Sequence, residues 1–282
     1  MRKILAAFAF ILTSASLLSQ APFPDSKEIN QFLGSTTCIV LEDKTYSAYN
    51  VYIRKAVEEY WKITPCEFIT YSVFKERSHN PQWSFLLLTE TSFDRDKSGS
   101  AYNFLNLLQG KDVEGISDMP EICAVPLSFA GQDDMEYGYK LGAILSFIQN
   151  HALTISREPS QTGRRYLRYY NKNVPEVKNK LLLVMQRDLS PELNSIDRLT
   201  AVYKHRIEIV PEDTIIKAIR ERKPGTLILH MVSPPGKAEA GYCFKMFIGT
   251  DDAEMYYYNQ HLISSNSPKG LLISDLKRLS RF

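Results

Sequence analysis

The amino-acid sequence predicts an α/β protein with mixed sheets, assembled from two related β-α-β-α-β modules. Three observations carry this. Short apolar runs alternate with stretches whose apolar residues recur at helical spacing, as in strands connected by helices. The same order of elements returns roughly 140 residues further along. Finally, the 282 residues, 44% apolar and 23% charged, have the composition of a chain that buries a core, which excludes wholesale disorder and collagen-like repeats.

In chain order, residues 36–41 form the first β-rich run. Residues 47–62 place Tyr49, Ile53, Ala56, Val57 and Tyr60 on one face and Arg54, Lys55, Glu58, Glu59 and Lys62 on the other, the period of a helix packed on a core. Pro65 closes it. Residues 66–70 read as a strand and residues 72–77 as a short helix. Residues 83–89 (WSFLLLT) are almost continuously apolar, the mark of a strand covered on both faces.

The second module opens with a strand at residues 180–185 (KLLLVM), after which Leu193, Ile196, Leu199 and Tyr203 recur at helical spacing. Residues 206–210 alternate like a strand. Pro211-Glu212-Asp213 opens a helix bearing Ile215, Ile216 and Ile219, with acids in its first turn. Residues 226–232 (TLILHMV) form another covered strand. Residues 242–249 and 255–263 read as an antiparallel hairpin, and Ser274 as the cap of a terminal helix with Leu276 and Leu279 inward. Val57, Leu86, Leu88, Ile219 and Ile228 are the expected core positions.

Asp43 to Pro81 spans 38 residues and Asp188 to Pro224 spans 36, and each proline precedes an apolar strand. A duplication predicts one strand order in both copies. Alternation alone produces similar spacing in any α/β chain, so strand order is the discriminating observation. The resulting division is a signal peptide at residues 1–20, a first module at 21–155, a basic tyrosine-rich linker at 156–179 and a second module at 180–282.

Met1-Arg2-Lys3 is a basic start to an uncharged apolar run ending at Leu18, short of the ~20 residues that span a bilayer. This pattern predicts export to the periplasm or beyond, with cleavage near Gln20 or Ala21 and no transmembrane span afterwards. Lys+Arg number 34 and Asp+Glu 32; loss of Arg2 and Lys3 leaves 32 of each sign. So neutral a chain is not built for nucleic acid. An oxidising compartment permits disulfides, and Cys38, Cys66, Cys123 and Cys243 allow three complete pairings; buried free thiols fit the apolar neighbours of Cys38, Cys123 and Cys243 equally well.

The chain has no Gly-x-Ser-x-Gly, His-Glu-x-x-His, phosphate-binding Gly-x-x-x-x-Gly-Lys or Gly-x-Gly-x-x-Gly, so no cofactor, metal or catalytic constellation is expected. Asp94, Asp96 and Ser98 with Gly99 resemble the opening of a calcium loop, but Leu105 stands where a bidentate carboxylate belongs, and a solvated turn is the better reading. His230, inside an apolar strand, reads as a hydrogen-bonded core histidine. His261, after Tyr256-Tyr257-Tyr258 on the hairpin, reads as exposed and functional.

The linker is the densest unusual feature. Arg157, Arg164, Arg165, Arg168 and Lys172 face only Glu158, with Tyr166, Tyr169 and Tyr170 between and after them. A patch of this kind holds an anionic polymer by charge and ring stacking, or else docks on acidic surfaces of the flanking modules. Arg164, Arg165, Arg168, Tyr166, Tyr169 and His261 are therefore the expected binding residues.

Tyr49-Asn50 with Glu59-Tyr60-Trp61-Lys62, and Tyr257-Tyr258-Asn259-Gln260-His261 with Ser274-Asp275-Leu276, resemble motifs of uncharacterised exported proteins of Bacteroidetes-type bacteria. That resemblance brings no activity or functional residues with it. The modules are also similar, as folds only, to small α/β envelope modules such as the amino-terminal part of TolB. The expectation is an exported envelope protein without catalytic activity that binds a protein partner or an anionic polymer. The rivals are a hydrolase using His261 and an Asp, and a glycan binder using its tyrosines.

Overall fold

Parallel pairing places β1 (Thr36–Val40) between β2 (Cys66–Ile69) and β3 (Trp83–Ser92). Antiparallel pairing then adds β4 (Ala101–Gln109) and β5 (Glu121–Phe129), so the first sheet runs β2-β1-β3-β4-β5. The second sheet repeats this. β6 (Leu181–Val184) lies parallel between β7 (Ile207–Ile209) and β8 (Thr226–Val232), followed by antiparallel β9 (Tyr242–Gly249) and β10 (Met255–Leu262). Its order, β7-β6-β8-β9-β10, is that of the first sheet, strand for strand. The structure, a computed structural model, describes residues 22–44, 46–163 and 166–281; the expected signal peptide at 1–20 lies outside the described residues.

The duplication extends further than the sequence suggests. An antiparallel pair and a closing helix were expected in the second module alone, but β4, β5 and α4 (Leu141–Arg157) supply the same elements in the first. Their signal is weak because Asn103 and Asn106 interrupt the apolar run of β4. Both asparagines are satisfied side by side with threonine and serine hydroxyls, Asn106 on Thr89 and Asn103 on Ser128.

Local chemistry sets the helix ends. Asp25 caps α1 (Ser26–Leu33), accepting from Glu28 while the Glu28 carboxylate accepts from Asp25, a reciprocal capping box. Ser47 caps α2 (Ala48–Tyr60) through the Asn50 amide, and Thr70 caps α3 (Tyr71–Arg77). Pro211 precedes α7 (Glu212–Arg220), whose first turn carries two acids and whose last turn carries Lys217 and Arg220, matching the helix dipole. The helix expected from Leu193 begins only at α6 (Ile196–Val202), because Ser190-Pro191 first makes a tighter turn. In α8 (Ile273–Leu279) Ser274 is exposed, and the Asp275 carboxylate takes the Leu272 amide instead.

Buried apolar side chains unite the two modules. One continuous cluster includes Ile53 and Val57 of α2, Leu105 and Leu107 of β4, Phe147 and Ile148 of α4, Ile215 and Ile219 of α7 and Phe244 and Met246 of β9. Helix α4 thus lies between the two sheets and belongs to both. Two further clusters cover the outer faces, one under α3 and one under α6 and α8. Leu86, Ile228, Val57 and Ile219 are buried as expected, whereas Leu88 is only partly buried, packed against the main cluster from its margin. Gly138 and Gly142 let α4 approach α2 closely: a Cβ on either would fall within 2.6 Å of the Tyr52 or Tyr60 ring.

All four cysteines are free thiols; Cys38, Cys123 and Cys243 are buried and Cys66 is exposed. The Asp94–Gly99 stretch is a turn, with Asp96 accepting from Ser98 and from the Tyr102 hydroxyl. Among the described residues no helix is long and apolar enough to cross a membrane.

Candidate functional site

In the second sheet the chain leaves β6 toward β7 on one side, and returns through α7 to β8 on the other. The carboxyl ends of β6 and β8 therefore flank a gap, the place where open α/β sheets bind ligands. A cleft of about 740 Å³ opens there, within the size range of small-molecule sites. One wall is the loop after β6, with Arg187 and Asp188; another is the end of β8, with His230 and Ser233. The first module closes it with Tyr137 and Lys140, and Lys269 reaches in from the loop before α8.

Lys140 is 3% exposed, and its ammonium donates to the Leu229 carbonyl at 3.1 Å. Burial lowers its pKa, and Asp188 acts against that shift. Asp188 is 5% exposed, and its Oδ2 has no protein partner. Burial raises the Asp188 pKa, while the charges of Lys140, Arg187 and Lys269 pull it back. The acid and the amine are thus moved in opposite directions within one cleft, a pattern that concentrates at functional sites.

His230 donates from Nε2 to the Pro126 carbonyl of β5 at 3.0 Å, which leaves Nδ1 as the unprotonated acceptor. That nitrogen is buried without a protein partner. Burial first, and then the Lys140 charge, lowers the His230 pKa to about 3, so the ring stays neutral at any physiological pH. Lys269 donates to the Pro234 carbonyl at 2.7 Å, and Arg187 pairs with Glu212 at 2.6 Å. Each of these four side chains is held by a named partner, so the donors Lys140, Lys269 and Arg187 and the acceptor His230 are positioned before any ligand arrives.

The loop following β1, the duplicate of this place, is satisfied from within. Glu42 accepts from Ser47 and Lys44, and Asn50 bonds the Glu42 backbone in both directions. Asp134 accepts from the Tyr49 amide and from the Tyr137 hydroxyl. Asp43, at the position matching Asp188, is exposed, so among the described residues of the two loops the buried, unpaired acid belongs to the second copy.

None of the described residues expected from the linker lines this cleft. Arg164 and Arg165 are outside the described residues, and Arg168 is exposed. Tyr166, expected at the surface, is buried at the start of α5 (Tyr166–Tyr169): its hydroxyl bonds the Ala124 amide and carbonyl on the open edge of β5, a covering that blunts an edge strand. Tyr170 is 2% exposed and meets the buried His151 at 2.7 Å. Tyr169 is half-buried, under the Lys172 ammonium and bonded to Glu158. Residues 170–179 pack along β10, so residues 166–179 are built into the fold.

His261, expected to be exposed, is only partly so, and Nε2 bonds the Pro268 carbonyl at 3.0 Å. It props the rim that carries Lys269 rather than meeting a carboxylate in the cleft. Tyr256, Tyr257 and Tyr258 are all buried, which removes them as a stacking surface for glycans. Sequence reasoning missed Lys140 and the chemistry of Asp188 and His230. The available signal was position: Asp188 follows an apolar parallel strand by four residues, and His230 stands near the end of its neighbour.

The edge contact of Tyr166 has a consequence for pH. Its hydroxyl also donates to Glu121 at 3.3 Å, and burial raises the Glu121 pKa from 4.5 to about 7, the hydrogen bond opposing the shift. The folded state then holds a proton that the unfolded chain releases, so this carboxyl's contribution to stability is complete below pH 4.5 and is lost as pH rises to about 7. At 1.36 kcal/mol per pH unit the loss is roughly 3 kcal/mol. His151, lowered to about 4 by burial, and His230, lowered to about 3, act oppositely over an overlapping range, adding stability as pH rises toward 6.5 in both the unchanged chain and a Glu121 variant. The expected result is that denaturant titrations of Glu121→Gln and of the unchanged chain diverge between pH 4.5 and about 7, the variant gaining roughly 3 kcal/mol relative to the unchanged chain across that range. Parallel curves for the two proteins would contradict it.

Comparison of the chain with protein-family models, with curated proteins and with solved structures finds no match.

Proposed function

We propose that the chain is an exported binding protein that holds the anionic group of an envelope solute or polymer end in the cleft between β6 and β8. The observation that carries this reading is Lys140. It is a buried ammonium lining a cleft, with one neutral carbonyl as its hydrogen-bond partner and two donor positions left over. Lys269 stands in the same cleft, half-exposed and fixed by the Pro234 carbonyl. A carboxylate or phosphate between the two would relieve the burial cost of both. Export is supported by the basic start and apolar run of residues 1–18; sequencing of the exported chain would then begin beside Gln20 or Ala21, and an intact Met1 would contradict it.

The binding test is a melting curve with inorganic phosphate and with acetate. A ligand at a hundred times its Kd stabilises by about 2.7 kcal/mol, which is roughly 5–10 °C for a chain of this size. We expect a saturable rise in at least one anion that Lys140→Gln and Lys269→Gln each abolish. A rise unchanged in both variants would place the anion elsewhere, and no rise in either anion would contradict the reading.

A further inference from the structure

We infer that the ligand of this cleft is a hydroxylated anion of the sugar-acid class, its acidic group held by Lys140 and Lys269 and its hydroxyls donating to Asp188 and His230. The inference rests on the anion reading above and adds the second half of the ligand. Lys140 and Lys269 only donate; Asp188 Oδ2 and His230 Nδ1 only accept, and both are buried against the same cleft without a protein partner. A buried acceptor left unpaired costs about 1–3 kcal/mol, so a ligand that supplies donors there gains more than one that does not.

An ammonium group would also donate, and Glu136 and Glu239 line the cleft as well, but beside Asp188 it would enter among Lys140, Arg187 and Lys269, whose charges all act on that carboxylate. A neutral hydroxyl meets no such repulsion. Met185, Met231, Leu189, Pro191 and Pro235 add apolar wall to the cleft, which suits the carbon-bound face of a sugar ring.

Calorimetric titration of the purified chain at low salt tests this with four probes: galacturonate, acetate, glucose and glutamate. The expected result is that galacturonate binds at least tenfold more tightly than the other three. Asp188→Asn supplies the second arm. Removal of a negative charge should tighten acetate, whereas loss of the hydroxyl acceptor should weaken galacturonate tenfold. The substitution keeps the Asp188 main-chain bond to Leu271, and an unchanged melting temperature verifies the fold.

If acetate equals galacturonate, the sugar-acid inference fails while the anion site stands. Glucose equal to galacturonate would overturn the anion reading itself, and tightest binding by glutamate would replace hydroxyl donors by an ammonium. If Asp188→Asn tightens galacturonate as it tightens acetate, Asp188 does not receive a ligand hydroxyl. Absence of binding by all four probes overturns both readings.

Discussion

Asp275→Ala should lower the unfolding free energy by about 3–5 kcal/mol, the range for stranding a buried charge by removing its partner. Lys245 and Asp275 are both fully enclosed, and they bond each other on the outer side of the second sheet. The same carboxylate also accepts from the Tyr257 hydroxyl at 2.7 Å, the Asn259 amide at 2.7 Å and the Leu272 main chain at 2.9 Å. Burial alone would raise the Asp275 pKa, but Lys245 and these donors outweigh it and hold the pKa below its ordinary value. Truncation to Ala leaves an ammonium and three donors without their acceptor.

Lys245→Met should also be costly, because it strands a buried carboxylate, but less so than Asp275→Ala, since Asp275 keeps three of its four hydrogen-bond partners. Equal losses for the two variants would show that the pair acts only as a unit. A loss below about 1 kcal/mol for Asp275→Ala would show that Lys245 finds water or another acceptor, against the enclosed geometry.

Phe147→Ala should cost a similar amount, about 3–5 kcal/mol, the usual range for an aromatic truncated in a core. Phe147 is fully buried on α4, with its ring edge-on to Tyr170 at 5.0 Å and near His151. Since α4 packs against α2 and β5 of one module and against β9 and α7 of the other, the cavity would weaken both sheets together. Denaturation of Phe147→Ala followed by tryptophan fluorescence should therefore track the loss of circular dichroism in one transition. Trp61 and Trp83 both belong to the first module, so fluorescence reports that module and dichroism reports the whole. Two separated transitions would mean that the modules fold independently.

How much of this the sequence discloses depends on whether burial or position makes the signal. The covered strands β3 and β8 are near-continuous apolar runs, and α2 has two chemically distinct faces, so both kinds of element are legible. The doubled strand order was legible too, from matched spacing around Asp43 and Asp188. Strand β4 was not, because its asparagines break the alternation for reasons visible only across the sheet. The linker misleads in a different way. Tyrosine beside arginine suggests an open patch, yet Tyr166 covers a strand edge and Tyr170 reaches a histidine inside.

The site itself is the least legible part. Lys140 comes from the first module, Asp188 from the loop after β6, His230 from β8 and Lys269 from a loop after the hairpin of the second module. Nothing in their spacing connects four residues that converge only when α4 is laid between the sheets. His230 was read as a core histidine, and half of it is one: Nε2 ties the sheets together through Pro126, while Nδ1 is the face left for a ligand.

The central claim is that the gap between β6 and β8 is where this protein binds. Its most direct test is a two-dimensional NMR titration of the isotopically labelled chain with galacturonate. The account predicts saturable shifts concentrated at Lys140, Asp188, His230 and Lys269, with Arg168 and Tyr169 unmoved. Shifts centred on Arg168 and Tyr169, or none that saturate, would contradict it.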